Sequence, residues 1–187
     1  MRIVAGEFRG RKIAVPDTPE TRPTMDKTRQ AIFNILRSAS WALKSDGTPI
    51  LYGARVLDVF AGSGAMGFEA LSQGAQNAMF VESGRLAAES IRANIKTMKL
   101  EARTALVSKD AFKLPPSGVV FDLVFLDPPY QEGLLSQALQ ELQEKNYIGP
   151  ETLLVLEMQK KQDAPGGINA LDTRQYGVSK VVFAKTA

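Results

Sequence analysis

The chain has 187 residues, 44% hydrophobic, 23% charged and 7% aromatic, enough to bury a core as one domain with a small appendage. It holds no cysteine and no histidine, which excludes disulfides, thiolate metal sites, thiol nucleophiles, Ser-His-Asp catalysis and imidazole bases. The net charge of +3 arises wholly within residues 1–29, where Arg2, Arg9, Arg11, Lys12, Arg22, Lys27 and Arg29 outnumber Glu7, Asp17, Glu20 and Asp26.

Residues 2–15 alternate loosely, with Gly6 and Gly10 as turn signals, and predict a short β-hairpin. Its basic residues have two readings: a solvated surface or a phosphate-contacting arm. Residues 16–25 carry Pro16, Pro19 and Pro23 and read as a linker. Residues 26–40 place Ile32, Ile35, Leu36 and Ala39 on one helical face. Residues 44–54 are a loop into the main domain, so the expected division is 1–43 and 44–187.

From Arg55 onward strands and helices alternate. Expected strands are 56–60, 78–82, 104–108, 121–127 and 152–158, with helices at 64–73, 85–99 and 132–145. In the second helix Leu86, Ile91, Ile95 and Met98 are expected inward. Two abutting strand-like stretches, 173–178 and 179–184, predict an antiparallel pair at an edge. The class is therefore α/β, a doubly wound, Rossmann-like, mostly parallel sheet with right-handed crossovers. No apolar run approaches the ~20 residues of a membrane span and no signal-peptide pattern opens the chain, so a cytoplasmic protein is expected.

Gly62, Gly64 and Gly67 form G-x-G-x-x-G between the first strand and its helix. Glu82, 20 residues after Gly62, can accept both hydroxyls of an adenosine ribose. This fingerprint also permits a nicotinamide dinucleotide. Asp58 stands inside an apolar strand, where a carboxylate needs a partner. It either pins the following loop or meets a ligand's ammonium group. Asp110 either accepts from an adenine amino group or caps the short turn after it. Three carboxylates at successive strand ends suit S-adenosylmethionine better than a pyrophosphate.

Asp127-Pro128-Pro129-Tyr130 ends the most apolar strand. The prolines force a rigid turn at the sheet edge. An Asp carboxylate and the Pro128 carbonyl can grip the two N–H bonds of an exocyclic base amine, freeing its delocalised lone pair. The Tyr ring offers a stacking face for the base.

The glycine loop followed by D-P-P-Y resembles class I S-adenosylmethionine-dependent methyltransferases, which have a seven-stranded sheet. RIVAGEFRGRKI at 2–13, TRPTMDKTRQAIFNIL at 21–36, VLDVFAGSGAMGFEALSQGA at 56–75 and FDLVFLDPPY at 121–130 together resemble the RsmD-type family. Its members methylate guanine N2 in 16S ribosomal RNA of the small subunit. The resemblance implies Asp127, Pro128, Pro129 and Tyr130 as the catalytic motif. It also implies cofactor contacts from Asp58, Phe60, Ala61, Gly62, Gly64, Glu82, Asp110 and Ala111, with Arg22 and Thr24 toward the methionine end. Arg2, Arg9, Arg11 and Lys12 are the expected RNA contacts. No metal is expected, the protein is expected to be a monomer, and the substrate is expected in an assembling or assembled particle. Ser83 and Gly84 depart from the family pattern, and residues 160–173 match it poorly. Rival readings are a DNA adenine-N6 methyltransferase and a nicotinamide-dependent oxidoreductase.

Overall fold

The structure is a computed structural model that describes residues 1–15 and 24–187, with Thr24 and Met25 described by backbone alone. Seven strands form one sheet: β1 (Arg55–Val59), β2 (Asn77–Val81), β3 (Thr104–Val107), β4 (Leu123–Leu126), β5 (Leu153–Gln159), β6 (Ile168–Tyr176) and β7 (Ser179–Thr186). The helices are α1 (Thr24–Ser38), α2 (Ala65–Ser72), α3 (Arg85–Met98) and α4 (Leu134–Glu144). No helix among the described residues is long and apolar enough to cross a membrane.

The spatial order is β3-β2-β1-β4-β5-β7-β6. The first five strands pair in parallel, and β7 runs antiparallel to both β5 and β6. The chain order reverses between β1 and β4, which opens a crevice at the C-terminal ends of those strands. The α/β class and the antiparallel edge pair match the expectation. The outer strand β6 begins earlier than expected, at Ile168, so the poorly matching 160–173 stretch contributes to the sheet edge.

Side chains alternate across the sheet and feed two cores. On one face Val56, Phe125, Val155 and Phe183 pack with Phe68, Phe80 and Ile91. On the other Leu57, Val124, Leu126, Leu154 and Leu156 pack with Leu135, Leu139 and Leu142 of α4. The all-buried β4 is covered on both sides, as a central parallel strand must be.

The N-terminal residues form a minimal hairpin, in which Ile3 N–H donates to Arg11 O and Ile13 N–H to Met1 O at 3.0 Å each, and Gly10 N–H donates to Ile3 O at 2.9 Å. One antiparallel bridge joins Arg2 and Lys12, and residues 5–10 are turns and bends. Other backbone donors of the segment go to α2. Val4 and Ala5 N–H donate to the two oxygens of the buried Glu69 carboxylate at 2.9 Å each, and Phe8 N–H donates to Ser72 Oγ at 2.9 Å. Gly6 is required where this segment meets α2, because a Cβ there would stand 1.8 Å from Ser72 O. Ile3, Phe8, Ile13, Ile32, Phe33 and Leu36 all belong to the first core, so the segments on either side of residue 43 share one hydrophobic interior.

Two helix assignments need correction. Ala39 lies beyond the end of α1, with Ile32, Phe33 and Leu36 forming its buried face. Leu86 is exposed, not inward. The buried face of α3 is Ala88, Ile91, Asn94 and Met98, and Leu86 sits about 140° around the helix from Ile91.

Candidate active site

Two apolar strands deliver acidic groups to the crevice. Asp58 is the fourth residue of β1 and only 3% exposed. Its Oδ2 accepts the amide of Gly67 at 2.9 Å. Burial pushes its carboxyl up to about 7; the Gly67 amide opposes that rise and the Glu82 charge adds to it. The structure thus shows the loop-pinning role for Asp58, and the side chain also lines the crevice. Gly67 is required by packing, since a Cβ there would stand 2.3 Å from the Phe80 ring.

Phe60 follows β1 with φ of +61°, a left-handed backbone that costs an L-residue about 1–2 kcal/mol. The loop around it is held by Ala61 N–H donating to Val81 O at 3.1 Å and Gly64 N–H donating to Ala61 O at 2.7 Å. Gly62 has open space where its side chain would be, so a ligand can approach the backbone.

Glu82 follows β2 and folds across this loop. Its Oε2 accepts Gly62 N–H at 2.7 Å and its Oε1 accepts Gly84 N–H at 2.6 Å. The glycine at 84 suits that closeness, because a Cβ would sit 3.0 Å from Glu82 Oε1. Asp110 takes the capping role: its Oδ1 accepts Phe112 N–H at 3.1 Å at the start of the 3-10 turn Ala111–Lys113. Ala111 is buried behind it.

Across the crevice, β4 leads into Asp127. Pro128 is buried, whereas Asp127, Pro129 and Tyr130 are exposed. Gln131 N–H closes the turn onto Pro129 O at 2.6 Å. Asp127 opens into the same cavity as Asp58, Phe60, Ala61 and Gly62. The crowding of protein around it, followed by the Glu157 and Asp58 charges, holds its carboxyl well above the usual carboxylate range. Gly64, Glu82, Asp110, Ala111 and the Pro128-Pro129-Tyr130 turn do not line this cavity.

Two charged lining residues escape the sequence reading. Glu157, on β5, carries a legible signal as a lone acid inside the apolar run TLLVLEM, the same signal that singles out Asp58. Burial raises its carboxyl too. Arg29, which the sequence counts only as arm charge, is 3% exposed and lines the cavity. It donates from Nη2 to Arg2 O at 2.7 Å and pairs with Asp26 at 3.0 Å. No sequence periodicity distinguishes a buried, carbonyl-bound arginine from a solvated one.

Arg2, Arg9, Arg11 and Lys12 are all exposed on the N-terminal segment. Arg2 Nη1 donates to Gly10 O at 2.7 Å, and the Arg11 guanidinium lies 5.3 Å from the Phe8 ring centre. Arg22 lies outside the described residues, and Thr24 opens α1 with its side chain outside them.

The family model described as Conserved hypothetical protein 95 matches residues 1–185. Ribosomal RNA small subunit methyltransferase D from Escherichia coli strain K12 is 34% identical over 165 residues, covering 88% of this chain and 78% of the relative. The protein of the same name from Haemophilus influenzae is 37% identical over 164 residues, 86% of this chain and 79% of the relative. The solved structure of Escherichia coli yhhF superposes with a TM-score of 0.83 and 30% identity, over 100% of this chain and 97% of that one.

Proposed function

Since this chain belongs to the family described as Conserved hypothetical protein 95, the RsmD-type methyltransferases, we propose that it moves a methyl group from S-adenosylmethionine to the N2 amine of a guanine in small-subunit ribosomal RNA. The observation that carries this reading is the meeting of Asp127 with Asp58 and the glycine loop in one cavity at the sheet reversal.

The residues present fit the cofactor. Asp58 lines the cavity as a buried carboxyl raised to about 7, first by burial, and an incoming cation would favour its charged form. S-adenosylmethionine supplies an activated sulfonium methyl and brings cationic groups. Glu82 would hold the ribose hydroxyls, Gly62 would allow close backbone approach, and Asp110 would face the adenine amine with the oxygen its cap leaves over. Arg22 and Thr24 are assigned to the methionine end, on the strength of the family motif.

Asp127 and the Pro128 carbonyl accept the two N–H bonds of the guanine amine, which turns the nitrogen lone pair toward the methyl. The Asp127 carboxyl, already held above its ordinary range, is placed to take the proton that the methylated nitrogen releases. Tyr130, exposed at the turn, stacks on the base, worth roughly 1–3 kcal/mol. A paired guanine must first leave its stack. Orientation of the two partners supplies up to ~7–11 kcal/mol of the barrier. The exposed Arg2, Arg9, Arg11 and Lys12 contact RNA phosphates.

Tritiated methyl transfer to naked ribosomal RNA and to small-subunit particles, followed by nucleoside analysis, tests this reading. The expected product is N2-methylguanosine. N6-methyladenine formed on DNA, or binding of a nicotinamide cofactor without methyl transfer, would overturn it.

A further inference from the structure

Glu157 stands beside the amine-gripping Asp127 and has no part in the chemistry described above. In the β4–β5 ladder Leu126 pairs with Leu156, so the residues that follow are Asp127, just past the end of β4, and Glu157 on β5. Neighbouring strands run ~4.8 Å apart, and alternation puts both side chains on the face that carries Phe125 and Val155. Asp58 lies on that face also, opposite Phe125. All five residues line the one cavity.

Ser179, at the start of the neighbouring strand β7, lowers the Glu157 carboxyl against the rise that burial causes, while its own hydroxyl donates to Tyr176 O at 3.2 Å. A carboxylate has about four acceptor positions, so Glu157 keeps acceptor capacity on the cavity side. An acid kept only to tie β5 to β7 has no need to face the cavity beside a second acid, where each charge raises the cost of the other. Two adjacent acceptors become favourable when the ligand presents two adjacent donors.

A guanine presents them. Its N2 amine and its N1–H are donors on neighbouring ring atoms. Adenine and 2-aminopurine carry a lone pair at N1 instead, which a carboxylate repels. We infer that Glu157 is the specificity-determining residue of the site: its carboxylate accepts the guanine N1–H while Asp127 holds the adjacent amine. This inference rests on the guanine-N2 reading above.

The test compares guanine with 2-aminopurine, which keeps the 2-amine and lacks N1–H. Once wild type has located the methylated guanine, RNA carrying 2-aminopurine at that position is assayed beside the unmodified RNA. Glu157→Gln preserves size and an acceptor for Ser179, and its amide N–H can face an N1 lone pair. Wild type is expected to favour guanine over 2-aminopurine by roughly 10- to 100-fold in kcat/KM, the worth of a hydrogen bond to a charged group. In Glu157→Gln that preference should collapse toward unity or invert, while S-adenosylmethionine affinity is retained. An unchanged preference, or an equal loss on both RNAs, overturns the role of Glu157 and leaves the methyltransferase reading standing. Absence of methyl transfer to guanine by wild type overturns the proposed function itself, and the Glu157 inference with it.

Discussion

Asp58 Oδ2 accepts the amide of Gly67 at 2.9 Å, so a buried carboxylate ties the end of β1 to the first turn of α2. Its carboxyl is raised from 3.8 to about 7, so between those values the folded state binds the proton that the unfolded chain releases. Stability from this group is full below pH 3.8 and is lost as pH rises through about 7. Asp58→Asn keeps an acceptor for Gly67 and cannot ionise. It should match wild type near pH 4 and exceed it at pH 8 by of order 1–4 kcal/mol. Calorimetric melting at both pH values checks this; a variant less stable at pH 8 contradicts the assignment.

The raised Asp58 carboxyl makes a prediction for ligand binding as well. A cation entering beside Asp58 lowers it, so S-adenosylmethionine should bind near pH 7 with release of protons. Titration calorimetry in buffers of different ionisation enthalpy reads the proton count directly. Zero or net uptake would show that the cationic part does not sit beside Asp58.

Asp127→Ala should lower kcat by roughly 10²–10³-fold, as removal of a placed charge partner does, with cofactor affinity largely kept. Single-turnover methyl transfer beside a cofactor titration separates the two. Near-normal turnover would remove Asp127 from the catalytic motif.

Glu82→Ala should weaken S-adenosylmethionine binding roughly 10- to 100-fold, because charged hydrogen bonds disappear. The effect includes loosening of the loop, because Glu82 also holds Gly62 N–H at 2.7 Å and Gly84 N–H at 2.6 Å. Glu82→Gln, which keeps acceptor oxygen for one of them, should fall between. Unchanged affinity in both variants would sink the ribose role.

The exposed cluster on the N-terminal segment carries the fifth expectation. Replacing Arg9, Arg11 and Lys12 by neutral residues should raise the KM for RNA. It should also reduce the log–log salt slope by ~0.7 for each phosphate of a single-stranded site that these side chains neutralise. Cofactor affinity should stay the same, since none of the three lines the cavity. Equal slopes for wild type and variant would mean that these charges are only solvated surface.

The α/β class, the position of the glycine loop, the D-P-P-Y turn and most strand positions are readable from the chain alone. Each is a local property: a run of apolar residues long enough for a covered strand, glycines where the backbone must turn, prolines that fix their own φ. Alternation over residues 2–15 points to the hairpin but reports only which side chains are buried. It carries no information on the donors of Val4, Ala5 and Phe8, which go to Glu69 and Ser72 of α2. Leu86 misleads, because the inward face of α3 depends on which neighbours it meets. That Asp110 caps the 3-10 turn after it, and that Arg29 is a buried cation, is likewise visible only in the packed structure. Above all, Asp127 and Glu157 are 30 residues apart in the chain and become neighbours only through the β4–β5 register. Pairing of parallel strands is set by the crossover helix and the two cores between which the sheet is held, so no local pattern encodes it.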